Sequence, residues 1–234
     1  MISEHDRQVL SQLPAWNPTG DIVAQRRAWE ELATVYNHDL PAIGGLEQNV
    51  ELRSGLRADV AVPKGAGRHP VVVYLHGGGW AFGSPASFRK LGMQFAEAGY
   101  LTIILDYRLA PEHPFPAALE DAIFAIGWAA DNARRWNGDG RRIAIGGDSA
   151  GANLAVSAIT SSAAGLRSLV RGAVLLRCVR SRGDRRAHQV VAWTSRAIGH
   201  VRFGQQGFVG RSACKPAQGG DAGNTSAVLH PRSR

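Results

Sequence analysis

The 234-residue chain predicts an α/β fold, a mainly parallel sheet with helices on both faces. Three observations carry that expectation. Apolar runs of strand length alternate with apolar-periodic stretches of helix length; the runs are nearly unbroken and rich in β-branched residues, as in strands buried on both faces; and two glycine-rich turns each follow directly on such a run.

Taken in order, Ile22 to Val35 is amphipathic, with Trp29 and Leu32 among its apolar positions, and predicts a helix. Strand-like runs follow at Gln48 to Arg53, Arg57 to Val62 and Val71 to His76. A helical pattern over Phe88 to Ala98 leads to a strand at Leu101 to Asp106. The segment Pro111 to Pro116 holds three prolines and cannot be helical until Pro116 supplies a first helical position, so the next helix is expected from Pro116 to Arg134. Glu120 and Asp121 in its first turns suit the positive end of the helix dipole. A strand at Arg142 to Gly147, a helix at Ala150 to Ala163 and a strand at Arg171 to Leu176 complete the pattern.

The first glycine-rich turn is Gly147-Asp148-Ser149-Ala150-Gly151, a G-x-S-x-G sequence between a strand run and a helix. That context suits a nucleophile elbow, a strained turn that raises a serine Oγ at its tip while small neighbours let strand and helix backbones pass closely. A Gly-Ser-rich turn that matches by chance is the plain alternative for the pentapeptide alone. The second turn, His76-Gly77-Gly78-Gly79-Trp80, follows Val71 to Leu75. Three consecutive glycines are costly in entropy and pack poorly, so bare backbone is needed there. Acyl transfer has such a need, because backbone N–H groups aimed at the developing oxyanion are commonly its largest catalytic contribution. A phosphate-cradling loop would require a following Gly-Lys-Ser/Thr or G-x-G-x-x-G spacing, and neither is present.

With both motifs in order, and with the block from Asp106-Tyr107-Arg108-Leu109-Ala110-Pro111 to Leu119-Glu120-Asp121 between them, the chain resembles the hormone-sensitive-lipase-like carboxylesterases of the α/β-hydrolase fold. The resemblance implies Ser149 as nucleophile, and Gly78, Gly79 and the amide of Ala150 as the oxyanion hole. It implies that His76 and Gly77 support the glycine loop, His76 organising it by hydrogen bonds rather than acting as base, and that Asp148 is not the triad acid. Ala152 stands where the family usually has glycine. The helix at Ile22 to Val35 resembles part of the cap over such active sites; an ordinary N-terminal helix packed on the sheet is the alternative.

Residues 177–234 differ in kind. Of 27 Lys and Arg, 16 fall in residues 1–176 with 17 of the 19 acids, a balance of −1; the remaining 11 and 2 give the tail +9. Only Leu229 of the leucines lies in the tail, whose strand candidates are short, such as Gln189 to Trp193 and Val201 to Phe203. The run Gly172 to Leu176 fits the family's next core strand, which usually continues into Tyr-Pro, but here Arg177-Cys178-Val179-Arg180 follows. A GC-rich gene read out of frame yields this composition, so the C-terminal strands are expected to be missing or aberrant. The other reading is a genuine basic tail that binds nucleic acid or an anionic surface. Its arginines form no recognisable module, and specific nucleic-acid binding is not expected.

A serine needs a histidine oriented by a carboxylate, and in α/β-hydrolases these follow it in that reverse order, acid first. In the resembled family they lie roughly a hundred and a hundred and thirty residues after the serine, past Arg234, so the triad acid and histidine are unassigned. Asp184 with His188, His200 or His230, or Asp221 with His230, are substitutes in the right order.

The expected organisation is a cap segment at 1–45, an incomplete hydrolase core at 46–176 and a poorly ordered basic tail at 177–234. The polar N-terminus and the lack of any run of about 18 apolar residues predict a soluble cytoplasmic chain without a membrane span. Cys178 and Cys214 have neither metal-ligand nor disulfide spacing and are read as free thiols. No cofactor or metal is implied. The expected function is hydrolysis of a small-molecule carboxylic ester through Ser149, with a catalytically dead hydrolase remnant or a basic interaction protein as alternatives.

Overall fold

The computed structural model describes residues 20–161, together with Ser11 and the short segments 175–177 and 190–192. Helix α1 (Ile22–Tyr36) precedes the strands β1 (Gly45–Arg53), β2 (Leu56–Val62) and β3 (His69–Leu75). Then come α2 (Arg89–Glu97), β4 (Leu101–Asp106), α3 (Ala117–Asn132), β5 (Gly138–Gly147) and α4 (Ala150–Ser161). The five strands form one sheet in the order β1-β2-β4-β3-β5. β2 is antiparallel to both its neighbours, whereas β4, β3 and β5 are mutually parallel, so all but β2 run in the same direction.

Alternation along the strands sorts side chains to the two faces. Val71, Val73 and Leu75 of β3, Leu101, Ile103 and Leu105 of β4, and Ile143 and Ile145 of β5 pack with the alanine-rich face of α3 and with Leu154, Ala155 and Ala158 of α4. Val72, Tyr74, Ile104 and Ala144 point the other way, into a smaller cluster with Phe95 of α2 and Tyr100. The near-continuous apolar runs of β3 and β4 therefore mean burial on both faces, as the sequence predicts.

Several expectations for the elements are corrected, three of them here. Pro116 occupies the cap position and Ala117 is the first residue of α3, while Glu120 alone is the acid of its first turn. Asp121 does not serve the helix dipole. It is fully buried and receives Arg53 at 2.6 Å, together with the Nε and backbone N–H of Arg108 at 2.9 Å each. Burial alone would raise the Asp121 carboxyl, but those donors hold it below its ordinary value. It thus ties β1, the start of the connection from β4 to α3, and α3 together.

The third correction concerns the strand expected at Arg171 to Leu176. Only its end is described: β6 (Leu175–Arg177) pairs antiparallel with β7 (Val190–Ala192), and among the described residues these two form a ladder of their own beside the five-stranded sheet. β7 lies within the candidate Gln189 to Trp193. The candidate Val201 to Phe203 lies outside the described residues.

Candidate active site

Ser149 sits between β5 and α4 at the carboxyl end of the parallel strands, with φ +48°, a left-handed conformation that side chains other than glycine adopt at a cost of about 1–3 kcal/mol. The strain is held from both sides. A Cβ on Gly147 or on Gly151 would run into the carbonyl of Leu75 at the end of β3, so only glycine lets strand and helix backbones approach there. The carbonyl of Asp148 accepts from Gly151 N–H at 2.8 Å and from Ala152 N–H at 3.3 Å, and the carbonyl of Ser149 accepts from Asn153 N–H at 3.1 Å, which starts α4. Ala152 is buried without displacing this turn. Ser149 is exposed, and among the described residues no hydrogen bond links its Oγ to a histidine.

The glycine loop lies against this elbow, and its peptide planes are held one by one. The plane between His76 and Gly77 is pinned at both ends: Tyr107 Oη donates to the His76 carbonyl at 2.7 Å, and Gly77 N–H donates to Asp148 Oδ1 at 2.8 Å. In the next plane the Gly77 carbonyl lies 2.9 Å from His76 Nδ1. A carbonyl can only accept, so Nδ1 carries the proton. In the third plane the Gly78 carbonyl accepts from Ala81 N–H at 3.1 Å and Phe82 N–H at 3.0 Å. Gly78 has φ +122°, and a Cβ there would meet the Phe82 backbone.

A peptide unit is planar, so holding its carbonyl also sets the direction of its N–H. The bonds to Gly77 O and Gly78 O therefore orient the N–H groups of Gly78 and Gly79. Among the described residues, the N–H groups of Gly78, Gly79 and Ala150 have no acceptor of their own. Ready donors with fixed orientation are what a developing oxyanion needs.

His76 is wholly enclosed. Its ring stacks on Tyr107 at 4.3 Å between centroids and on Phe88 at 5.6 Å, and among the described residues its Nε2 has no hydrogen-bond partner. Burial lowers its pKa to about 4, although the bond to Gly77 and the charge of Asp148 act in the opposite sense. The neutral ring is a fixture of the loop. The same burial, with Asp148 and Asp106 nearby, raises the Tyr107 hydroxyl well above its ordinary value, so it remains a donor.

Two groups at the site escape a reading by sequence. Tyr74 Oη donates to Asp148 Oδ1 at 2.7 Å, joining the carboxyl end of β3 to the residue before Ser149. The sequence signal was a lone hydroxyl in an otherwise aliphatic strand, since a buried tyrosine usually finds a partner for its hydroxyl. Arg26 of α1 donates to Ala81 O at 2.8 Å and Ala110 O at 2.7 Å, and grips Glu112 with two bonds at 2.7 and 2.8 Å. Trp29 of α1 meets Phe82 at 6.1 Å between ring centroids, so the helix docks on the loops flanking the site. The side chain of Leu32 lies outside the described residues, as do Asp184, Asp221, His188, His200, His230, Cys178 and Cys214. Among the described residues no group of acids, histidines or cysteines could hold a metal ion, and no helix is long and apolar enough to cross a membrane.

Comparison with known proteins places this geometry in context. The family described as the α/β-hydrolase fold matches residues 72–201, a span that crosses Leu176, where the motif pattern is lost. The chain is 45% identical over 86 residues to carboxylesterase NlhH of Mycobacterium tuberculosis, an alignment covering 36% of this chain and 27% of that protein. It is 47% identical over 87 residues to esterase LipI of the same organism, covering 37% and 27%. Among solved structures, the esterase of Pyrobaculum calidifontis superposes with a TM-score of 0.62 at 38% identity, covering 73% of this chain and 56% of that one. The similarity thus spans little more than half of the esterase structure and about a quarter of each curated relative.

Proposed function

We propose that this chain, which belongs to the α/β-hydrolase fold family and by lineage to its hormone-sensitive-lipase-like carboxylesterases, hydrolyses carboxylic esters of short or medium acyl length through Ser149. The observation that carries the reading is the juxtaposition of a strained, exposed serine with a glycine loop whose Gly78 and Gly79 amides are oriented and uncommitted. In the proposed reaction Ser149 Oγ attacks the ester carbonyl carbon and loses its proton to a base. The carbonyl oxygen becomes an oxyanion that accepts from the N–H groups of Gly78, Gly79 and Ala150. Collapse breaks the ester C–O bond, the alcohol leaves with the proton, and the acyl group stays on Oγ until water repeats the sequence and releases the acid.

The base and its orienting acid are proposed from the tail, His188, His200 or His230 with Asp184, or His230 with Asp221; Asp184, His188 and His200 fall inside the span of the family match. Residues 1–45 are proposed as the cap and 46–176 as the catalytic core, a division supported by the docking of α1 on the loops around the site.

Hydrolysis of p-nitrophenyl butyrate by the full chain tests the reading. Turnover is expected to disappear in Ser149→Ala. If one tail histidine is the base, its alanine variant loses turnover to a similar degree; without a working base, the oxyanion hole and binding alone leave roughly 10³ to 10⁴-fold over water. A rate indifferent to Ser149→Ala would falsify the assignment.

A further inference from the structure

We propose that Asp148, braced by Tyr74, is a positioning residue that sets the oxyanion-hole amides in register with Ser149. The inference rests on the reading of Ser149 and of the glycine loop given above. It starts from one oxygen atom. Asp148 Oδ1 accepts both from Tyr74 Oη at 2.7 Å and from Gly77 N–H at 2.8 Å, across 74 and 71 residues of sequence. Asp148 is covalently joined to Ser149, so this carboxylate is the shortest described link between the nucleophile and the loop that faces it.

Two hydrogen bonds converging on one anionic oxygen are charge-assisted and well placed. Tyr74, 2% exposed and paired in the sheet with Ile104 of β4 and Gly146 of β5, cannot follow the loop if it moves, so it fixes the carboxylate against the sheet rather than against the loop. With Gly77 N–H held, and the His76 carbonyl of the same peptide plane held by Tyr107, that plane has no freedom to rotate. The following plane, which bears the Gly78 N–H, is then governed by the single bond from His76 Nδ1 to Gly77 O. Without Asp148, the plane between His76 and Gly77 is held at one end only, by Tyr107 at its carbonyl, and three successive glycines offer little resistance to displacement. The packing is close as well: a Cβ on Gly77 would strike the Asp148 carboxylate, so a side chain at Gly77 and the bond to Asp148 exclude each other.

The role differs from that of a triad acid. Asp148 touches neither substrate nor a histidine base in this scheme; it acts through Gly77. An oxyanion donor matters most when charge has developed, so its misplacement lowers kcat and leaves KM nearly unchanged.

The test compares Asp148→Ala, Asp148→Asn and Tyr74→Phe in the full chain, by p-nitrophenyl butyrate kinetics and by hydrogen exchange of the segment 76–82. Asp148→Ala is expected to lower kcat by about 10²-fold, the scale of losing one oxyanion donor, with KM unchanged and faster exchange confined to 76–82. Asp148→Asn keeps an oxygen that accepts both bonds and recovers most of kcat and of the protection. Tyr74→Phe lies between. Equal damage from Asn and Ala, or native kcat and exchange in Asp148→Ala, overturns the proposal. If Asp148→Ala does not fold, Tyr74→Phe decides, and native kcat and exchange there overturn it equally. Hydrolysis that persists in Ser149→Ala instead defeats the nucleophile assignment; exchange of 76–82 then reports on Asp148 alone, and native exchange in Asp148→Ala still overturns its role.

Discussion

His76 shows how a titratable side chain can serve a site by remaining neutral. Stacked on Tyr107 and Phe88, with a proton fixed on Nδ1 by the Gly77 carbonyl and no partner for Nε2 among the described residues, it would carry a second proton as a buried, unpaired charge. The unfolded chain binds that proton near pH 6.5, the folded chain only near pH 4. Between those values the unfolded state carries more protons, so stability rises with pH through this window and is lost as pH falls from 6.5 towards 4. Linkage converts the difference to about 3 kcal/mol. Denaturant titrations at a series of pH values should show that slope, and His76→Phe, which keeps an aromatic ring between Tyr107 and Phe88, should flatten it. An unaltered slope in the variant would assign the pH dependence to other groups. Ser149, His76 and the glycines were legible because each motif is contiguous and its chemistry demands particular residue types. Tyr74 and Arg26 were not, since their partners lie 74 and from 55 to 86 residues away and only folding brings them together.

At the scale of elements, the elbow depends on how closely α4 can approach β3. Gly151 is in the first turn of α4, and a methyl group there would meet the carbonyls of Leu75 and His76, both backbone atoms that cannot swing aside. Gly151→Ala is therefore expected to cost about 1–3 kcal/mol in urea unfolding, the usual scale of overpacking, although alanine is the better helix former by about 1 kcal/mol. A gain in stability would show that the helix can shift without penalty. The shift that accommodates the methyl must move α4 away from β3, and with it Ser149, so hydrolysis should fall along with stability. The alternation of β3 and β4 predicts both their strand assignment and the two clusters that cover them, because a buried parallel strand has to be apolar on each side. Boundaries were harder. β5 begins at Gly138 rather than Arg142, because the polar stretch Gly-Asp-Gly-Arg is recruited to the sheet by the pairing of Gly138 with His69, which no local pattern encodes. The role of Asp121 was illegible for a similar reason: its place near the start of the helix suits a dipole partner, whereas its charge is consumed by Arg53 and Arg108.

For the whole molecule, the governing feature is the uneven distribution of charge. Residues 1–176 are close to neutral at −1, and the positive net charge of the chain resides in 177–234. A near-neutral hydrolase core with a +9 segment should associate with polyanions through that segment, by releasing counterions rather than by reading sequence. Heparin and an arbitrary DNA duplex are expected to bind comparably at low salt. Affinity should fall steeply between about 50 and about 200 mM salt, the logarithm of the binding constant declining in proportion to the number of phosphates neutralised. Fluorescence anisotropy with two unrelated duplexes, across that range, measures both quantities at once. A specific binder would instead separate the two duplexes by at least about 4 kcal/mol and keep that separation as salt rises. Such discrimination would make the basic segment a recognition element in its own right. Equal, salt-sensitive binding of the two duplexes would mark the basic segment as a polyanion contact that reads charge and not sequence.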